Sequence, residues 1–161
     1  MDNGPHYRYI GDLWELPKKI YNKSGYRYII DIVDHFSKWY YGYLLKTKSA
    51  EEVLLKIDTF IQSFGEPKIF QCDNGTEFSN RLLKNYCIDN NINLVFSSPY
   101  HPQTNGACES VHKEIRKYLL NKFINNENNF DIEKELLNVI KIHNNKVHSS
   151  TSRILKEIKD L

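Results

Sequence analysis

Net charge is what this chain has least of. Lys and Arg number 22 against 20 Asp and Glu, a formal balance of +2 over 161 residues. So small an excess excludes a strongly basic arm, and any contact with a polyanion has to come from a local patch. Cysteine is scarce as well. Cys72, Cys87 and Cys108 are odd in number and include no Cys-x-x-Cys pair, which argues against a disulfide framework and suits a reducing compartment. With His101, His112, His143 and His148 they form no recognisable zinc pattern. No apolar run approaches the roughly 18 residues of a membrane span, and Met1-Asp2-Asn3-Gly4-Pro5-His6 does not read as a signal peptide. The expectation is therefore a soluble, intracellular protein. Alanine (2) and arginine (5) are rare while lysine and asparagine reach 17 each, a bias that fits an A/T-rich coding sequence and lowers the functional weight of single Lys and Asn residues.

What is present suffices for a core. Hydrophobic residues make up 40% and aromatics 13% of the chain, which excludes disorder, and the length is that of one domain. No internal repeat is visible. Residues 7–16, 26–34 and 39–45 read as strands with short links, an antiparallel meander, and the near-continuous apolar character of 26–34 predicts burial on both faces. The link 17–24 is polar and basic, with a turn at Gly25. Ser49-Ala50-Glu51-Glu52 is a capping box, followed at helical spacing by Val53, Ile57, Phe60, Ile61 and Phe64 and stopped by Gly65. A strand at 68–72, a helix at 78–90 and a strand at 92–96 come next. Loop 97–106 leads to a long helix over 107–125, with Val111, Ile115, Tyr118 and Leu119 on its core side, and a last helix spans 132–143. The segment after Lys146 has no assignment. The order β-β-β-α-β-α-β-α-α implies an α/β fold: one five-stranded mixed sheet flanked by helices, with no internal domain boundary.

Three acids carry the chemistry. Asp73 closes a strand, where a carboxylate points into the crevice in which α/β sheets bind ligands, although Asp-Asn-Gly alone is most often a plain turn. Glu109 begins the long helix, with Lys113 and Arg116 at i+4 and i+7 on the same face; taken alone this is a solvated Glu–Lys pair worth about 0.2–0.5 kcal/mol. Asp12 stands inside the first strand beside Gly11, where a bare charge is costly and a cation would relieve the cost. Asp31, also mid-strand, is its rival, and the chemistry alone does not separate the two. Asp34 precedes His35-Phe36-Ser37-Lys38 and reads as a turn cap. Carboxylates alone suit Mg²⁺ or Mn²⁺, and two such ions about 3.5–4 Å apart suit phosphoryl transfer. Loop 97–106 offers His101, Gln103, Thr104 and Asn105, stiffened by Pro99 and Pro102, to a nucleic-acid backbone or to base edges.

Four segments in register resemble a known family: 9–13, 28–39, 64–78 and 99–109. With 35 residues between Asp73 and Glu109, they resemble the D,D-35-E cores of retroviral-type integrases, above all those of gypsy-type LTR retrotransposons and host genes derived from them. The resemblance implies a ribonuclease-H-like fold and selects Asp12, Asp73 and Glu109 as the catalytic, metal-holding triad, with Asp31 at a position usually apolar in the family. It implies two Mg²⁺ or Mn²⁺ ions, and DNA contacts through Lys113 and Arg116, to which the loop adds His101, Gln103 and Asn105. It also implies an endonuclease and nucleotidyltransferase that trims element ends and joins them to target DNA, a homo-oligomer and a nuclear location. Residues 1–161 then form a single catalytic core without the family's zinc-binding N-terminal and DNA-binding C-terminal domains. The family's Gly-x-x-Pro near the end is replaced by Ser152-Arg153-Ile154-Leu155. Two other readings are a domesticated remnant that binds DNA or protein without catalysis and a ribonuclease-H-type nuclease.

Overall fold

Alternation of side chains across five strands divides the core into two layers. The computed structural model describes residues 4–97 and 106–159, by backbone alone at His148 and beyond Ser149. In chain order the elements are β1 (Arg8–Glu15), α1 (Lys18–Ser24), β2 (Tyr28–Asp34), β3 (Tyr40–Leu45), α2 (Ala50–Phe64), β4 (Ile69–Cys72), α3 (Arg81–Asp89), β5 (Asn93–Phe96), α4 (Gly106–Asn125), a 3-10 turn at Glu127–Asn129, and α5 (Ile132–Lys159). The sheet order is β3-β2-β1-β4-β5. β1 pairs antiparallel with β2, and β2 with β3. β1 pairs parallel with β4, and β4 with β5. Tyr9, Ile30, Ile32 and Phe70 face one way and pack with Val53, Ile57, Phe60, Leu83 and Cys87 of α2 and α3. Ile10, Ile29, Val33 and Tyr40 face the other way and pack with Val111, Ile115, Leu119, Leu136 and Ile140 of α4 and α5.

β2 is buried at all seven positions, as its apolar run predicts. The Ser49 hydroxyl accepts from the Glu52 amide at 3.2 Å, while the Glu52 carboxylate accepts from the Lys46 and Thr47 amides at 2.8 and 2.9 Å. The capping box thus closes on the residues just before its N-cap. The Asp34 carboxylate accepts from the His6 and Phe36 amides, the capping role expected of it. All three cysteines are buried free thiols.

Three elements differ from expectation. Residues 18–24 form a helix, anchored by buried Ile20 and ended by Gly25 in the left-handed region at φ 81°. One apolar residue gives too little periodicity to mark seven residues as helical. α3 starts at Arg81 because Asn80 caps it, its side chain accepting from the Leu83 amide at 3.0 Å, while Phe78 enters the core ahead of the helix. α5 runs on to Lys159. No Gly or Pro follows His143, so nothing in the covalent chain stops it.

Candidate active site

β1 and β4 lie side by side with Arg8 opposite Ile69, Tyr9 opposite Phe70 and Ile10 opposite Gln71. The ladder ends there, and Asp12 and Asp73 each lie two residues further along the chain from its last pair. Adjacent strands are about 4.8 Å apart, and side chains in register share a face. By alternation both residues belong to the α4/α5 face, Asp12 within β1 and Asp73 just past the end of β4. Gln71 ties the neighbourhood together. Its side chain accepts from Arg8 at 2.6 Å and donates to the Ser97 hydroxyl at 3.3 Å, just where β5 ends. Asp73 is exposed, and its Oδ1 accepts from the Gly75 amide at 2.8 Å. The Asp-Asn-Gly turn is therefore present, and it holds an acid at the mouth of the sheet.

α4 crosses this face with Cys108, Val111, His112, Ile115, Leu119 and Phe123 buried. Its core side therefore includes His112, whereas Tyr118 is half-buried and donates its hydroxyl to Glu135 at 3.2 Å. Glu109 and Lys113 are exposed. The α4 residue that reaches Asp12 is Arg116, with Nη2 at 2.6 Å from Asp12 Oδ2 and 3.8 Å from Asp31 Oδ2. Its guanidinium also lies over the Trp14 ring, 5.5 Å from the centroid. Glu109 stands seven residues earlier, about 10 Å nearer the helix start at 1.5 Å per residue. Among the described residues, no three His, Cys, Asp or Glu side chains converge closely enough to hold an ion. The donor chemistry fits Mg²⁺ or Mn²⁺, since Asp12, Asp73 and Glu109 offer oxygen alone, but Asp12 is engaged by a cation of the protein itself. His101, Gln103 and Asn105 lie outside the described residues.

Asp31, the rival for first acid, is directly opposite Asp12 in the β1–β2 register. It is fully buried. Its Oδ1 accepts a short hydrogen bond from the Tyr40 hydroxyl. Gly42, opposite Asp31, makes this possible, because a Cβ there would overlap the Tyr40 hydroxyl. Burial pushes the Asp31 carboxyl up to about 7, against the pull of the Tyr40 hydrogen bond and Arg116. His112 Nδ1 stands 3.6 Å from Asp31 Oδ2, and burial, aided by Arg116, pushes its imidazole down to about 4. Asp31 Oδ2, Arg116 Nε and both His112 ring nitrogens are buried with no hydrogen-bond partner among the described residues. Sequence reasoning did not find the Tyr40–Gly42–His112 surround. Its only sequence signal is an acid inside an otherwise apolar strand.

The family model described as integrase core domain matches residues 2–102. The chain is 26% identical over 145 residues, 90% of its length, to the Pro-Pol polyprotein of simian foamy virus type 1, of which it spans 12%. It is 27% identical over 124 residues, 76% of its length, to the retrovirus-related Pol polyprotein from transposon 412 of Drosophila melanogaster, of which it spans 10%. Among solved structures, the HTLV-2 integrase catalytic core domain in complex with magnesium overlays with a TM-score of 0.70 at 18% identity, covering 87% of this chain and 86% of that one. This likeness is one of fold, the ribonuclease-H-like arrangement that the sequence resemblance implies.

Proposed function

This chain belongs to the integrase core domain family, and on that premise we propose that it is the catalytic core of a polynucleotidyl transferase that processes DNA 3′ ends and joins them to target DNA. One observation supports the reading: β1 and β4 pair in parallel up to Ile10 opposite Gln71, with Asp12 and Asp73 each two residues further on, and α4 crosses that face of the sheet with Glu109 in its first turn. Asp12, Asp73 and Glu109 would hold two Mg²⁺ or Mn²⁺ ions. Bound there, such ions supply an activated water or 3′-hydroxyl and offset charge on the departing oxygen. The protein's own part is positioning: the middle of β1 and the end of β4 carry two carboxylates, and Lys113, exposed on the Glu109 face, meets a backbone phosphate. The loop residues His101, Gln103 and Asn105 complete the DNA-contact set; Arg116, which the resemblance adds to it, has its guanidinium on Asp12 in the metal-free, DNA-free chain. A nuclear location belongs to the same reading, and so does a homo-oligomer, which the dimeric and trimeric forms of the HTLV-2 core support.

The test is strand transfer on an oligonucleotide end with Mn²⁺, with a disintegration substrate run beside it. Glu109→Gln and Asp73→Asn are each expected to lower joining by roughly a hundredfold or more, the several kcal/mol that a metal-held transition state gains. The engagement of Asp12 by Arg116 favours one other reading, a non-catalytic DNA-binding remnant. Joining absent under either metal, with DNA binding unchanged by Glu109→Gln, would establish that reading instead.

A further inference from the structure

Arg116 sits between two carboxylates and is hydrogen-bonded to one. Its Nη2 is 2.6 Å from Asp12 Oδ2 and 3.8 Å from Asp31 Oδ2. The second oxygen is buried without a hydrogen-bond partner among the described residues, and so is Arg116 Nε. A shift of about 1 Å would bring the guanidinium to hydrogen-bond distance of Asp31. The Asp31 position is built for permanence: Tyr40 donates to its other oxygen, Gly42 clears the way for that hydroxyl, and Ile29 and Val33 on the same strand face are fully buried. Asp12 is the opposite case, with its side chain 34% exposed at the mouth of the cleft. A divalent cation and a guanidinium compete for the same carboxylate oxygen.

We propose that Arg116 is a two-position latch that covers Asp12 in the metal-free protein and passes to Asp31 when a divalent cation arrives, with Asp31 as the positioning residue that receives it. This rests on the reading of Asp12 as a metal ligand. In the metal-free state the guanidinium supplies the positive charge that the Asp12 carboxylate needs. On metal entry that charge moves inward to the acid the metal does not reach. His112, 3.6 Å from Asp31 Oδ2, lines the receiving end. Trp14, under the guanidinium at 5.5 Å, keeps its plane against β1 in either position.

The experiment is Mn²⁺ binding to the 161-residue chain without DNA, followed by water-proton relaxation and by thermal shift. Arg116→Gln removes the competitor and is expected to tighten Mn²⁺ binding roughly fivefold, the scale of a partly exposed ion pair. Lys113→Gln removes one exposed charge from the same helix and should change affinity less than twofold. Asp31→Asn removes the receiver, so Arg116 stays on Asp12 and binding weakens severalfold. In the Arg116→Gln background the same Asp31→Asn change should do nothing, because there is no guanidinium left to receive. A merely structural Asp31 would weaken binding equally in both backgrounds, and that result overturns the latch. Equal effects of Arg116→Gln and Lys113→Gln overturn it too, and this comparison needs no buried substitution. Asp12→Asn reports separately. If it leaves Mn²⁺ affinity unchanged, the metal-ligand reading is itself wrong.

Discussion

The two faces of the sheet are made from alternate residues of the same strands, yet they are built to different ends. Toward α2 and α3 the buried layer is Tyr9, Ile30, Ile32, Val53, Ile57, Phe60, Phe70 and their neighbours. Toward α4 and α5 the apolar layer is as extensive, but Asp31, Gln71, His112, His143 and Asn144 are buried within it. Asp34, opposite Tyr9 at the end of β2, is the one buried polar residue among those described that falls on the α2/α3 face. Buried polar groups cost stability unless paired, and several here are unpaired. One face therefore supplies stability and the other carries its cost. That is the division expected where a site occupies one side of a fold.

The largest test of this contrast is on the apolar side. Phe70 is fully buried, and its ring packs so closely on β1 that a Cβ on Gly11 would lie 2.8 Å from it. Phe70→Ala is expected to cost about 3–5 kcal/mol in urea unfolding. A loss smaller than that caused by any single change in the polar cluster would reverse the assignment of the two faces.

On the other face the corresponding structural device is a clasp. Asn144 of α5 accepts from the Tyr40 amide at 2.9 Å and donates to the Tyr40 carbonyl at 2.8 Å, while the His143 ring meets the Lys38 carbonyl at 2.8 Å. β3 is an edge strand, and α5 thereby covers the start of its free edge. Asn144→Ala strands both groups of a fully buried residue and should cost about 2 kcal/mol. Hydrogen exchange at the Tyr40 amide should speed accordingly. Unchanged exchange there would mean that the edge is held by the apolar contacts alone.

Much of this was legible in the chain, and the part that was not has one cause. The burial of β2, the Ser49 cap, the strand-ending Asp73 and the start of α4 all follow from patterns local to a few residues. The pairing of Asp12 with Asp31, and the presence of Asp73 on the neighbouring parallel strand's end, depend on register between strands. Period-2 alternation says which face a residue takes but not which residue lies opposite. For that reason Asp12 and Asp31 looked like alternatives when they are neighbours. Tyr40 read as one more strand aromatic, and Gly42 gave no hint that it makes room for a hydroxyl. The α4 face carrying Glu109, Lys113 and Arg116 was readable from spacing alone. That Arg116 is the one to reach Asp12 was not, because the docking depth of a helix is set by what it packs on.

The smallest expected effect is the most discriminating for the polar face. Burial keeps the Asp31 carboxyl protonated up to about 7, from an ordinary 3.8. Between those values unfolding releases a proton, so this group lowers stability as pH rises. His112 does the reverse. Burial keeps it neutral down to about 4, from an ordinary 6.5, so in that window unfolding takes up a proton and stability rises with pH. The windows overlap, the slopes oppose, and the two contributions largely cancel in the native chain. Each substitution should uncover the other group. Measured as the difference from wild type in urea unfolding between pH 5 and pH 6, Asp31→Asn should gain about 1 kcal/mol with rising pH and His112→Phe should lose about as much. Differences of the same sign in both variants would mean that the pair does not titrate as two opposed groups. The polar face would then be an inert part of the core, and the contrast between the two sides of the sheet would be one of composition alone.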